Sequence, residues 1–547
     1  MLFPKVKKLN KNGEFSFSEG NIRISLKEIE ELDKKAVNAV FGESLEDGNM
    51  NLFCKKNAAL SELSDEAYTI DIKENDESLY VTIAASSDKG FVRGLFTLKR
   101  MCLKNEFFIG DLCDYPSFSV RGYIEGFYGK PWKSWERPEM LELMALFGEN
   151  THYYAPKDDP YHRDKWNKLY PEKEASLLKE LVDKANSLYM DFYYCIAPGL
   201  SMRYSSEEDF LMLKEKTKQL FSMGIRCFGL LLDDIPADLF FPEDKELFGN
   251  AAKAHTALVV KYLDFLKELS SDCRLTVCPT AYHGKGDEKE LCDFAGNIPS
   301  CVDVFFTGSD ICSKEICSSE AEYFFMNTKH KPLYWDNYPV NDAEMFMEMH
   351  MGPIIGRDKD LHKHCAGLIS NTMSWFNCNK IPLITVASYL WNSEEYDPEE
   401  AYLEAVSFVL PEDERADFIL LADHFRTSCL KDENSRIMGE RLSEALMCRN
   451  IGNDEEAMRL LAVFTDEIKN AAARLRTRTK PLYTELSRWI KKFCLMSDIL
   501  ELALEVLNGA DKENELSALM ESYNESATVL TAFCFREYIE SVLGNEN

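Results

Sequence analysis

The sequence has no apolar run that approaches the roughly 18 residues of a membrane span. No apolar segment of signal-peptide length follows its basic start, Met1 to Lys11. It also has no Cys-x-x-Cys pair, although 17 cysteines, an odd number, are scattered along 547 residues. Without an export signal these read as reduced, mostly buried thiols of a cytoplasmic protein. Clustered positive charge is scarce as well. Against 93 Asp and Glu stand 63 Lys and Arg, a net charge of -30. Nucleic acid and anionic membrane are therefore poor partners, since phosphate binding needs grouped Lys and Arg. The basic string Arg474 to Lys480 reads as a solvated connector between helices. His362-Lys363-His364-Cys365 comes nearest to a metal-binding string but reads as a loop entering a strand. No metal and no other cofactor is expected.

What is present is ordinary globular material, 45% hydrophobic and 29% charged, with length for about three domains. Residues 1–117 read as a small α/β accessory domain. Tyr68 to Ile72 alternates like a half-buried strand, Asn75-Asp76-Glu77 supplies a turn, and Leu79 to Ala85 returns. Ser86-Ser87-Asp88 can cap the helix that carries Phe91, Leu95, Leu98 and Met101.

Over 118–395 a short apolar strand, a polar end and an amphipathic helix recur. The strand candidates are Val120–Ile124, His152–Ala155, Phe192–Ala197, Phe228–Leu232, Leu275–Thr280, Val302–Thr307, Leu333–Trp335 and Gly367–Ser370. Helical patterns such as Glu172–Leu188, Ser206–Met223 and Ala251–Leu269 lie between them. Eight such units predict a TIM-type (β/α)8 barrel. A doubly wound open sheet competes, but no GxGxxG follows the first strand. Residues 396–547 form a helical bundle domain, with patterns over Glu414–Leu430, Glu440–Met447, Glu455–Leu475 and Tyr483–Leu507.

A barrel places chemistry at the strand ends. There polar and aromatic residues gather, and the fourth strand ends in Asp233-Asp234, ahead of Ile235-Pro236. Two like charges side by side at the mouth of a core raise each other's proton affinity, which tunes a carboxyl to act as an acid. A helix N-cap is the plainer reading. Lys157, Trp335, Asn337, Asn371 and a further acid, Asp342, complete a set suited to a sugar. Adjacent residues cannot straddle a glycosidic bond at the usual carboxyl separation of about 5 Å or more. The pair therefore favours the substrate-assisted route, in which the sugar's 2-acetamido oxygen attacks the anomeric carbon. On a regular strand neighbouring side chains point to opposite faces. Both acids reach one sugar only if the strand has ended by Asp233.

Three stretches, Arg121-Gly-Tyr-Ile-Glu-Gly-Phe-Tyr-Gly-Lys-Pro-Trp132, Tyr154-Ala-Pro-Lys-Asp-Asp-Pro-Tyr-His-Arg163 and Leu232-Asp-Asp-Ile235, closely resemble glycoside hydrolase family 84, which includes the O-GlcNAcases and bacterial hexosaminidases. The resemblance implies a retaining exo-β-N-acetylglucosaminidase passing through an oxazoline. It implies that Asp233 orients the acetamide nitrogen, that Asp234 is the general acid and then base, and that Tyr282 hydrogen-bonds at the reacting centre. It implies sugar contacts from Gly126 (backbone carbonyl), Lys157, Asn337, Asp342 and Asn371, and an acetamide pocket of Trp335, Thr307 and Ile311. The segment Asn371 to Asn377, with bulky Trp375-Phe376, and Tyr338-Pro339-Val340 depart from the family's usual pattern. The expected partner is a carbohydrate or glycoprotein. The helical domain could pair with a second copy or only buttress the barrel. A hydrolase for another 2-acetamido sugar and a non-catalytic sugar-binding barrel stay open.

Overall fold

The computed structural model describes residues 2–17, 22–27, 31–42, 48–75, 78–426, 435–530 and 533–544. Its first six strands form one sheet. They are β1 (Lys8–Phe15), β2 (Ile24–Lys27), β3 (Met50–Lys56), β4 (Tyr68–Asn75), β5 (Ser78–Ala85) and β6 (Phe107–Asp114), in the order β1-β6-β4-β5-β3-β2. The β4–β5 hairpin pairs Tyr68 with Ala85 and Asn75 with Ser78, so its alternating apolar residues share a buried face. Asp76 and Glu77 of the expected turn lie outside the described residues. Ser87 caps the helix Asp88–Lys104 by accepting from the Gly90 amide at 3.2 Å, and Phe91, Leu95, Leu98 and Met101 are buried along it.

The next eight strands close on themselves. They are β7 (Val120–Glu125), β8 (Thr151–Tyr154), β9 (Asp191–Ile196), β10 (Cys227–Leu231), β11 (Arg274–Cys278), β12 (Asp303–Phe306), β13 (Pro332–Asp336) and β14 (Gly367–Asn371). All neighbours are parallel, and β14 returns to β7 with Gly367 opposite Val120 and Asn371 opposite Ile124. Closure excludes the open sheet. The interior is filled by side chains that alternate inward, among them Ile124, Tyr153, Tyr193, Cys195, Leu231, Phe305, Leu333 and Ile369.

The sixteen described cysteines are free thiols, but only six are fully buried; nine are half-buried and Cys301 is exposed. The expectation of mostly buried thiols is corrected to that extent. His362 and His364 do lie at a turn that leads into β14; His364 pairs with Glu322 at 2.9 Å. No described helix is long and apolar enough to cross a membrane.

By packing, the chain divides into two units. The first comprises Met1–Asn337, Ile355–Thr372 and Leu383–Asp397, and so holds both the sheet and the barrel strands. The second comprises Tyr338–Ile354, Met373–Pro382 and Pro398–Asn547. Two of the helices expected in the second are shorter than their apolar pattern. The pattern over Glu414–Leu430 forms a helix only over Glu412–Ala422 and tightens at Asp423–Phe425; residues 427–430 lie outside the described residues. Asp423 has another task, since its carboxylate accepts from the amides of Ile437 (3.0 Å) and Met438 (3.4 Å) at the start of the helix Arg436–Asn450. The pattern over Tyr483–Leu507 breaks at Leu486 into Pro481–Glu485 and Ser487–Leu507. There Glu485 receives the Asn377 amide (2.8 Å), the Asn377 side chain (2.8 Å) and the Cys378 amide (3.1 Å).

Candidate active site

Strand β10 ends at Leu231, and Asp233 and Asp234 follow outside it. The Leu232 amide still donates to Cys278 O (2.9 Å), and its carbonyl accepts from the Thr280 hydroxyl (2.8 Å), so the chain is anchored up to the acids. Asp234 then turns into the left-handed region at φ 51°, a conformation that Asp tolerates better than most residues. The turn undoes the alternation of a strand. Both carboxylates face one ammonium, that of Lys157, with Nζ 2.9 Å from Asp233 Oδ2 and 3.9 Å from Asp234 Oδ2. The helix-cap reading fails, because no helix begins here: the next is Pro242–Phe248.

The two acids differ in surroundings. Asp233 is buried, and burial favours its neutral form. The Lys157 charge and hydrogen bond oppose this and hold the carboxyl below its usual range. Its Oδ1 is buried with no hydrogen-bond partner among the described residues. Asp234 is more open. Its Oδ2 accepts from the Tyr128 hydroxyl (2.7 Å) and its Oδ1 from the Tyr282 hydroxyl (3.3 Å). Arg163 donates to the Tyr128 oxygen (2.8 Å) and to Asp234 O (3.3 Å), bracing the tyrosine and the turn together. Burial and the neighbouring carboxylates push Tyr282 up, so its hydroxyl stays a donor.

A second group of contacts forms the wall. Trp335 donates through Nε1 to Asn337 Oδ1 (3.1 Å), Asn371 donates to the same oxygen (2.8 Å), and Asn337 donates to Ile311 O (2.8 Å). Gly126 is required by this packing. A Cβ there would lie 2.6 Å from the Trp335 ring and 3.1 Å from Asn371 Oδ1. The Lys157 ammonium sits 5.7 Å from the Trp335 ring centre and 5.4 Å from that of Tyr128. Thr307 donates from its amide to Tyr282 O (2.8 Å) and from its hydroxyl to Asp310 O (2.7 Å), while Ile311 is exposed. One connected set of contacts thus joins ten of the residues singled out from sequence. They are Asp233, Asp234, Tyr282, Gly126, Lys157, Thr307, Ile311, Trp335, Asn337 and Asn371. Asp342 falls in the second packing unit, at the head of the turn Ala343–Met345.

Other strand-end acids are engaged in holding the barrel. Glu125 takes a bidentate Arg137 (2.6 and 2.8 Å), and Asp336 takes a bidentate Arg357 (2.8 and 2.6 Å). Asp159 accepts from the hydroxyls of Tyr154 (2.9 Å) and Tyr170 (2.5 Å).

A family profile described as beta-N-acetylglucosaminidase matches residues 121–423, more than half of the chain and all the residues just described. The chain belongs to the β-N-acetylglucosaminidase family. It is similar to the proteins of glycoside hydrolase family 84. A Thermobaculum terrenum O-GlcNAc hydrolase variant is 31% identical with a TM-score of 0.74, over 78% of this chain and 95% of that one. The CpGH84B structure shares the fold over 99% of this chain and 100% of its own, with a TM-score of 0.84 at 24% identity. The protein O-GlcNAcases of Rattus norvegicus and Mus musculus are 31% identical over 274 residues, 49% of this chain but only 29% of theirs. The chain therefore spans under a third of the length of those curated relatives.

Two residues of this candidate site escape a residue-by-residue reading, Tyr128 and Arg163. Both stand inside the motifs, yet their meeting with Asp234 depends on loop closure over 106 and 71 residues of sequence. The bulky departures are accounted for within the second unit. Trp375 meets Trp489 edge-on at 5.8 Å, Phe376 is buried, and the Tyr338 hydroxyl donates to Gly352 O at 2.6 Å.

Proposed function

We propose that the protein is a retaining exo-β-N-acetylglucosaminidase in which the substrate's own acetamide is the nucleophile. The reading is carried by one observation. The adjacent carboxylates of Asp233 and Asp234 share the Lys157 ammonium, at 2.9 and 3.9 Å. Two carboxyls gathered on one cation cannot flank a glycosidic bond as acid and nucleophile. Asp233 is also a poor nucleophile for a carbon centre, being buried and held by Lys157. Its unpartnered Oδ1 instead suits an N–H donor.

In the first step the acetamide oxygen attacks the anomeric carbon as the bond to the leaving oxygen breaks, and Asp234 gives that oxygen its proton. Positive charge gathers on the acetamide as the oxazolinium forms. Asp233 accepts the N–H and stabilises that charge, which costs little because the carboxylate is already ionised and fixed. In the second step water attacks the same carbon and gives a proton to Asp234. The oxazoline opens, and the configuration is retained after two inversions. The hydroxyls of Tyr128 and Tyr282 hold the two oxygens of Asp234 through both transfers. Trp335, Thr307 and Ile311 line the acetamide pocket. The carbonyl of Gly126, with Lys157, Asn337 and Asn371, receives the sugar hydroxyls and acetamide. The substrate is a terminal β-linked N-acetylglucosamine, including one carried on protein.

A series of aryl β-N-acetylglucosaminides tests the division of labour. Asp234→Asn should lose most on poor leaving groups and least on good ones, and azide should restore turnover of activated substrates to it but not to Asp233→Asn. Equal losses across the series would remove Asp234 from the acid role. Binding without turnover of any aryl glycoside would make the barrel a recognition module. Preference for the 4-epimer would redirect the substrate to galactosamine.

A further inference from the structure

The helical unit contains a cavity of about 1060 Å³ whose charge is opposite to that of the whole chain. One stripe of the helix Ser487–Leu507 supplies Arg488, Lys491, Lys492 and Asp498, and the end of the helix Asp454–Arg476 and the turn after it add Arg476 and Arg478. Five cations thus face one carboxylate in a chain of net charge -30. The basic string Arg474 to Lys480, expected to be a solvated connector, is divided by the fold. Arg474 pairs with Asp417 (2.6 Å), Arg478 with Glu414 (3.1 Å) and Asp413 (3.3 Å), and Lys480 with Glu414 (2.7 Å).

Arg476, Arg488, Lys491 and Lys492 have no carboxylate partner among the described residues; Arg488 reaches only the Met347 sulfur, at 3.9 Å. Lys492 is the informative one. It is 5% exposed, donates to the carbonyls of Thr528 (2.7 Å) and Ser526 (3.3 Å), and lies 4.3 Å from the Tyr523 ring centre. Burial, helped by the Arg536 charge, lowers its pKa to about 8. A buried ammonium with no counter-charge is costly to keep. A fold that retains one beside three further free cations is arranged for an anion.

We propose that this cavity binds a small phosphate-bearing anion, free phosphate or a phosphate ester, between Arg476, Arg488, Lys491 and Lys492. Two guanidiniums and two ammoniums suit a tetrahedral dianion better than a single carboxylate, because the forked donors of Arg match phosphate oxygens in pairs. The volume exceeds what phosphate alone needs. The hydroxyls of Thr484, Ser487 and Ser522 also line it, offering partners to the polar body of an ester.

The test is calorimetric titration of the full chain at low salt with inorganic phosphate, glucose 6-phosphate and glucose. Either phosphate probe should bind, and glucose should not. The triple variant Arg476→Gln, Arg488→Gln, Lys491→Gln changes only exposed side chains and should weaken binding by at least about tenfold, with an unchanged melting curve. Asp234→Asn should bind the probes as the parent does, which separates this cavity from the barrel. Tighter binding of glucose 6-phosphate assigns an ester; equal affinity assigns phosphate itself. No heat from either probe at millimolar concentration would overturn the proposal, as would unchanged affinity in the triple variant or glucose binding as tightly as its phosphate.

Discussion

Glu66 and Asp233 are both buried carboxylates held by cations in the same packing unit, and they are provided for very differently. Glu66 has every oxygen engaged. Oε2 accepts from Arg93 (2.6 Å) and Arg121 (2.6 Å), and Oε1 from Arg121 (2.9 Å) and Asn150 (2.8 Å). Burial works against its charge, yet the guanidiniums, Arg121 foremost, hold it far below the usual carboxylate range. Asp233 shares a single ammonium with a second carboxylate and keeps one buried oxygen unpartnered. The first arrangement joins residues of the N-terminal region to β7 and leaves no oxygen of the carboxylate unused. The second leaves an acceptor unused where a substrate donor would arrive. The Glu66 carboxylate is saturated with donors, and the Asp233 carboxylate is not.

Four measurements press on this contrast. Glu66→Gln should cost the most stability, about 3–5 kcal/mol in denaturant unfolding, because two guanidiniums lose their buried counter-charge. Activity per folded molecule should not change. The sign with pH follows from a depressed carboxyl. The contribution of Glu66 is complete above the unfolded glutamate value of about 4.3 and is lost as pH falls through the lower folded value. The deficit of Glu66→Gln should therefore be full at neutral pH and shrink in strong acid. A deficit constant with pH would mean that packing, not charge, is lost. Asp233→Asn should reverse the pattern, lowering kcat about a hundredfold or more while costing less stability than Glu66→Gln. If the two variants lost stability alike, the contrast would not hold.

Lys157→Met should act through pH. Without the ammonium, burial becomes the dominant influence on Asp233 and raises its carboxyl, so the acid limb of kcat/KM should move upward, by about one pH unit or more. An unmoved limb would show that Asp233 does not set it. Tyr128→Phe should have the smallest effect. It removes one of two hydroxyls on Asp234 and should lower kcat by about tenfold or less. A greater loss would make Tyr128 a member of the reacting group instead of a support.

Much of this was legible beforehand because it depends on local pattern. The strand expected at Phe228–Leu232 is found at Cys227–Leu231, and the helix expected at Ala251–Leu269 has those limits. Apolar strands between amphipathic helices leave little choice of architecture. The failures share a cause too. The pattern that continues past Ala422 cannot reveal that Asp423 caps another helix, and the one over Tyr483–Leu507 cannot reveal that Glu485 catches Asn377. A capping partner distant in sequence overrides the period of the apolar residues. The composition of the basic string at Arg474 to Lys480 does not say which of its cations are neutralised; that depends on Asp413, Glu414 and Asp417, about sixty residues earlier.

By itself the sequence determined a barrel with acids at its strand ends and an adjacent pair that demands an unusual division of labour, because hydrophobic period and residue adjacency are properties of the chain. Tertiary structure decided which acids remain for chemistry. Arg137 and Arg357 neutralise Glu125 and Asp336, while Asp233 and Asp234 receive one lysine from 76 and 77 residues away. It also decided that the pair can act together, through a left-handed turn at Asp234. Counter-charge and backbone direction arise from groups that meet only when the barrel closes.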